Sequence, residues 1–203
     1  MTRISNSPTL MNIFGKLSLV LVLALVVGCS SLPQNTGVQV GTIDALLAGA
    51  YDGTQVVDDI VGCGDLGIGT FHGLNGEMVV LDGEVYQVLS TGEVVQPDAD
   101  ITSPFMAVVP FEAQLAQPLA QSRDYDGLKA LVDELAPQQN IPVVIKVYGT
   151  FSMVHTRSVP GQVKPYPPLK EVTANQPEFK TTDVTGTLVG FRLPPYVKGI
   201  DVV

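Results

Sequence analysis

A chain of 203 residues that is 45% hydrophobic and only 15% charged is too apolar to be disordered and long enough to bury a core. Its formal charge of −9 repels phosphate backbones, which argues against nucleic-acid binding. Residues 1–28 hold Arg3 and Lys16 and no acid, so the remainder, with 9 basic and 20 acidic residues, carries −11.

Leu17–Val27, LSLVLVLALVV, is an 11-residue run, apolar apart from Ser18, between Lys16 and Gly28-Cys29. As a helix it would reach about 16 Å, too short to span a bilayer. The arrangement is that of a secretory signal, and the small residue before cysteine matches a bacterial lipoprotein processing site. Residues 1–28 are therefore expected to be a signal peptide and Cys29 the lipidated first residue. Acyl chains hold a membrane by about 0.8 kcal/mol per buried methylene. The plainer alternative is an ordinary cleaved signal with Cys29 incidental. Met11 offers a second start, with MNIFGK as its basic leader. Residues 29–40 read as a flexible polar tether, and the expected location is the cell envelope, lipid-anchored to a periplasmic or extracellular membrane face. An acylated Cys29 cannot form a disulfide, so Cys63 reads as a buried small hydrophobe or a free thiol.

Past the tether, Thr42–Tyr51 reads as a short helix capped by Thr42. Gln55–Val61 and Leu66–Phe71 are strand candidates separated by Gly62 and Gly64. Met78–Leu81 and Val85–Val88 flank Asp82-Gly83-Glu84, and Asp-Gly between β-rich runs is a strong hairpin signal because the turn needs positive φ. A second reversal follows at Ser90-Thr91-Gly92, and Pro104–Phe111 is another apolar strand.

Asp124–Leu135 is the clearest helix: Leu128, Leu131, Val132 and Leu135 make one stripe, and Pro137 ends it. The β-branched run Ile141–Phe151 reads as a central strand. Pro160, Pro165, Pro167 and Pro168 impose an extended connection that marks a domain boundary, and Val184–Phe191 is the next strand. Strands outnumber helices, which gives an α+β class. The apolar run Gly199–Val203 has no polar cap and reads as interrupted, so truncation is expected.

No Walker loop, dinucleotide-binding glycine run or nucleophile elbow occurs. Asp58-Asp59 and Asp98 with Asp100 lack calcium-loop spacing. Periodicity does not require Glu77, which follows Gly76 and opens an apolar run; its plain role is a solvated strand-edge carboxylate. Arg157 ends an apolar strand before a proline-rich loop and would ordinarily be a surface charge on a packed stem. His72 and His155 read as solvated or hydrogen-bonded side chains.

Two stretches change this reading. Gly69–Val88, GTFHGLNGEMVVLDGEVYQV, and Thr156–Leu169, TRSVPGQVKPYPPL, together resemble the bacterial α-acetolactate decarboxylase family. LVGFRLPPY, at Leu188–Tyr196, and then Gly199-Ile200 extend the match, which spans about Gly41 to Val203. The resemblance implies an enzyme converting 2-acetolactate to acetoin and carbon dioxide. It assigns proton transfer to Glu77, carboxylate binding and charge stabilisation to Arg157, and a place near bound ligand to Thr70. It also implies zinc held by three histidines, whose positions would lie beyond Val203; neither His72 nor His155 matches them.

The implied fold is a mixed-sheet N-terminal domain over 41–158, followed over 159–203 by the start of a C-terminal β-barrel-like domain, and the implied assembly is a homodimer. The rival reading is a catalytically inactive lipoprotein that keeps the scaffold as a binding or structural module.

Overall fold

The computed structural model describes residues 36–201. The signal peptide, Cys29 and most of the expected tether lie outside them. The tether's last residues do not: Val38–Val40 form strand β1, because Val38 and Val40 alternate toward the core opposite Val108 and Met106.

The central sheet has six strands. They are β1, β3 (Leu66–Thr70), β4 (Glu77–Leu81), β5 (Glu84–Val88), β6 (Val94–Val95) and β8 (Phe105–Val109), in the order β1-β8-β3-β4-β5-β6. Every neighbouring pair is antiparallel, which corrects the expected mixed sheet. The links explain this: β3–β4, β4–β5 and β5–β6 are joined by six residues or fewer, whereas parallel neighbours need a long crossover. Asp82 and Gly83, at φ 54° and 84°, make the two-residue turn between β4 and β5.

Gln55–Val61 is not one strand. Gln55–Val56 is a two-residue strand, β2, paired with β7 (Thr102–Ser103), and Val57–Val61 is a helical turn, α2. Val57, Ile60 and Val61 have helical spacing and pack on the sheet, with Asp58 and Asp59 at the turn's positive end. Beneath α2 lies a core of Val57, Phe71, Met78, Val80, Met106 and Val108. Cys63 is buried within it and is disulfide-bonded, which corrects the expectation of an unbonded cysteine.

Helix α1 (Ile43–Leu47) is shorter than expected but capped by Thr42 Oγ1, which accepts from Ala45 N. It packs in a second cluster with α4 (Leu169–Thr173) through Leu46, Tyr51, Leu74, Phe105, Val159 and Val172. Val159 and Val172 follow the expected domain boundary, yet they bury against residues that precede it. Helix α3 (Tyr125–Leu135) begins at its cap Asp124, and Leu131 is the buried member of its stripe.

The expected central strand is longer and not central. Strand β9 (Val143–Arg157) pairs, among the described residues, with β10 (Glu178–Arg192) alone, in a 15-residue two-stranded ribbon. A β-branched run signals a strand but not its place in a sheet. Tyr148 and Met153 are 75% and 58% exposed on this ribbon. Arg192 ties the ribbon to the C-terminal end of α3 by bonding Asp133 Oδ1, Ala136 O and Gln138 O. No helix among the described residues is long and apolar enough to cross a membrane.

Candidate active site

Between β3 and β4 the backbone passes through the left-handed region at Gly73, Leu74 and Gly76 (φ 69°, 57° and 87°). Leu74 holds this conformation at a cost of about 1–2 kcal/mol, offset by full burial of its side chain. At Gly76 a Cβ would run into the Val88 carbonyl, so only glycine fits. The Gly-Glu pair is therefore a backbone device that brings the chain in tightly and starts β4 at Glu77. Thr70, opposite Glu77 in the register, donates from Oγ1 to Gly76 O at 2.7 Å and is itself buried.

Ser158 and Val159, which follow β9, then cross this corner. Ser158, fully buried, donates from Oγ to Val88 O at 2.7 Å. Val159 N–H donates to Glu77 Oε1 at 3.3 Å, and Gly76 N–H donates back to Val159 O at 3.2 Å. Arg157, just before them, brings its positive charge to bear on the Glu77 carboxyl. Glu77 and Arg157, 80 residues apart in the chain, thus come close enough for the arginine's charge to act on the carboxyl.

Their electrostatics differ. Burial pushes the Glu77 carboxyl above the usual glutamate range, and the Val159 N–H and the Arg157 charge pull against that rise without cancelling it. Arg157 is exposed and makes no ion pair among the described residues. Glu178, opposite it on β10, is bonded instead to His155 Nε2 at 2.9 Å. A half-buried carboxyl raised above the usual glutamate range thus feels a guanidinium that makes no ion pair among the described residues and whose planar donor fork suits a carboxylate.

Thr70 lies one strand from Glu77, and its hydroxyl hydrogen is committed to the loop beneath it. Ser158 and the Val159 N–H were not singled out in the sequence. A small polar residue between Arg157 and Val159-Pro160 carries no periodic signal, and a backbone donor is invisible until the strand and the corner meet.

The zinc implied by the resemblance does not fit the described residues. No three of their His, Cys, Asp or Glu side chains converge on a common point. His72 Nδ1 accepts from Gly53 N at 3.0 Å, and His155 is engaged by Glu178 on the outer ribbon.

The family model for alpha-acetolactate decarboxylase matches residues 38–203. A relative of that name in Methanosarcina mazei is 47% identical over 164 residues, covering 81% of this chain and 57% of the relative. One in Brevibacillus brevis is 36% identical over 176 residues, covering 87% and 62%. The chain thus spans less than two thirds of the length of these relatives.

A Staphylococcus aureus crystal structure, of a protein described as similar to alpha-acetolactate decarboxylase, superposes with a TM-score of 0.80 at 33% identity. It covers 82% of this chain and 72% of that one. The alpha-acetolactate decarboxylase of Bacillus subtilis strain 168 gives 0.79 at 36% identity, covering 82% and 71%. Sequence and fold agree, and the chain belongs to the alpha-acetolactate decarboxylase family.

Proposed function

We propose that the protein removes carbon dioxide from 2-acetolactate to leave acetoin, and that Glu77 and Arg157 supply one side of its pocket. The observation that carries this reading is the pairing of a half-buried carboxyl, raised above the usual glutamate range, with a guanidinium that makes no ion pair among the described residues, in a chain of this family. In the reaction the bond to the carboxylate carbon breaks, its electron pair moves into the neighbouring carbonyl as an enediolate, and the product carbon takes up one proton. Arg157 would bind the substrate carboxylate and offset charge as carbon dioxide leaves. Glu77, its carboxyl raised by desolvation, would donate the proton; Arg157 and the Val159 N–H would then steady the carboxylate left behind. Thr70 would act at the pocket wall. Zinc remains the metal that family membership leads us to expect, and no step is assigned to it here.

The test is acetoin release from racemic 2-acetolactate by the purified protein supplied with zinc. Wild type should turn over. Glu77→Gln should lower kcat by about 10²-fold or more, the ordinary contribution of a positioned acid, and Arg157→Ala should chiefly raise KM. A wild-type protein that forms no acetoin would refute the activity. An active one indifferent to both substitutions would refute the site.

We also propose a lipid anchor at Cys29, which places the protein at the cell envelope, and a homodimer. The anchor is supported by the Leu17–Val27 run ending at Gly28-Cys29; the dimer is supported by family membership alone and is checked by light scattering.

A further inference from the structure

Glu77 can act only if the loop before it is held in place, and that loop is costly to hold. Three of the four residues Gly73–Gly76 have positive φ, and one of the three is a leucine. A strained segment relaxes unless its surroundings over-determine it. Thr70 and the Val159 carbonyl restrain Gly76. Gly73 is restrained by Tyr51 O and by the Gln162 N–H. Asn75, between Leu74 and Gly76, has its carbonyl bound by one side chain: Gln87 Nε2 donates to Asn75 O at 2.7 Å.

Gln87 lies on β5, next to Val88, the register partner of Glu77. It is 5% exposed, in a position where strand alternation would ordinarily place an apolar residue. A buried amide in a sheet interior is retained at a desolvation cost, and here its donor is aimed at the strained loop.

We infer that Gln87 is a positioning residue, whose buried amide fixes Asn75 and thereby holds the Glu77 carboxyl in its desolvated place beside Arg157. This deepens the proposed function and rests on it only for the purpose served; the coupling between Gln87 and Glu77 is measurable without turnover.

The test follows the Glu77 carboxyl carbon by NMR through a pH titration of 13C-glutamate-labelled protein. Gln87→Met, close in volume but without a donor, should move the Glu77 midpoint down toward the ordinary glutamate value as the loop relaxes and water enters. Gln87→Asn, one methylene short, is the milder variant and should move it in the same direction by less. Leu131→Ala, in the distant helix α3, serves as the control: it should lower Tm and leave the midpoint in place, which separates positioning from general destabilisation.

A folded Gln87→Met or Gln87→Asn protein with the wild-type midpoint would overturn the proposal, as would a Leu131→Ala protein shifted equally. If Gln87→Met does not fold, Gln87→Asn decides. Should an active protein prove indifferent to Glu77→Gln and Arg157→Ala, the assigned site would fail while the shifts in midpoint could still stand.

Discussion

Replacing Ser158 by alanine removes one hydroxyl and tests the corner on which the site depends. Ser158 is fully buried and its Oγ donates to Val88 O at 2.7 Å. Without it the partly buried Val88 carbonyl loses that partner, which costs about 1–3 kcal/mol. At about 2–4 °C per kcal/mol for a domain of this size, Tm should fall by about 2–12 °C. The loss should also reach the site. Ser158 immediately precedes Val159, whose N–H binds Glu77, so slackening here weakens a bond that favours the ionised carboxyl and should raise the Glu77 midpoint further. Scanning calorimetry gives the first result, and a carboxyl NMR titration of the same sample gives the second. A Ser158→Ala protein with wild-type Tm and an unmoved Glu77 midpoint would refute the reasoning about this corner.

Three further predictions concern Glu77, Arg192 and Cys29. The Glu77 carboxyl is raised on folding, mainly by burial, so its ionisation should erode stability as pH climbs from the unfolded value of 4.5 through the folded one; Glu77→Gln should match wild type in Tm below pH 4.5 and exceed it at pH 8, and the reverse order would contradict the assigned burial. Arg192→Ala should cost about 1–3 kcal/mol in urea unfolding, because it strips Asp133 and two carbonyls near the end of α3 of their shared, partly buried donor; the loss should largely persist in high salt, since two of the three acceptors are neutral. Cys29→Ser should release the protein from membranes, and unchanged fractionation would refute lipidation. A Cys29 sulfur cannot be both acylated and in a disulfide, so the mass of the mature N-terminal peptide gives an independent answer.

Much of the sheet was legible because its signals are local. Asp82-Gly83 fixed a hairpin, the Leu128, Leu131, Val132 stripe fixed α3, and Thr42 and Asp124 cap the helices they precede. What was misread depends on contacts far along the chain. QVVDDIV is β-branched enough to pass for a strand, and only the burial of Val57, Ile60 and Val61 on one side makes it a helical turn. Ile141–Phe151 announced a strand, but nothing within it says that its one partner among the described residues is β10.

The site divides in the same way. Glu77 and Arg157 emerged from family resemblance, since neither spacing nor composition singles them out. Ser158, the Val159 N–H and the restraint of Asn75 by Gln87 emerged only when residues 70–88 met residues 157–159.

The most direct measurement is the response of the Glu77 carboxyl resonance to added racemic 2-acetolactate, in wild type and in Arg157→Ala. If the two side chains face one substrate, the wild-type resonance moves in a saturable way and the Arg157→Ala resonance does not respond over the same concentrations. A Glu77 signal indifferent to acetolactate, or one that responds equally without Arg157, would contradict a shared site.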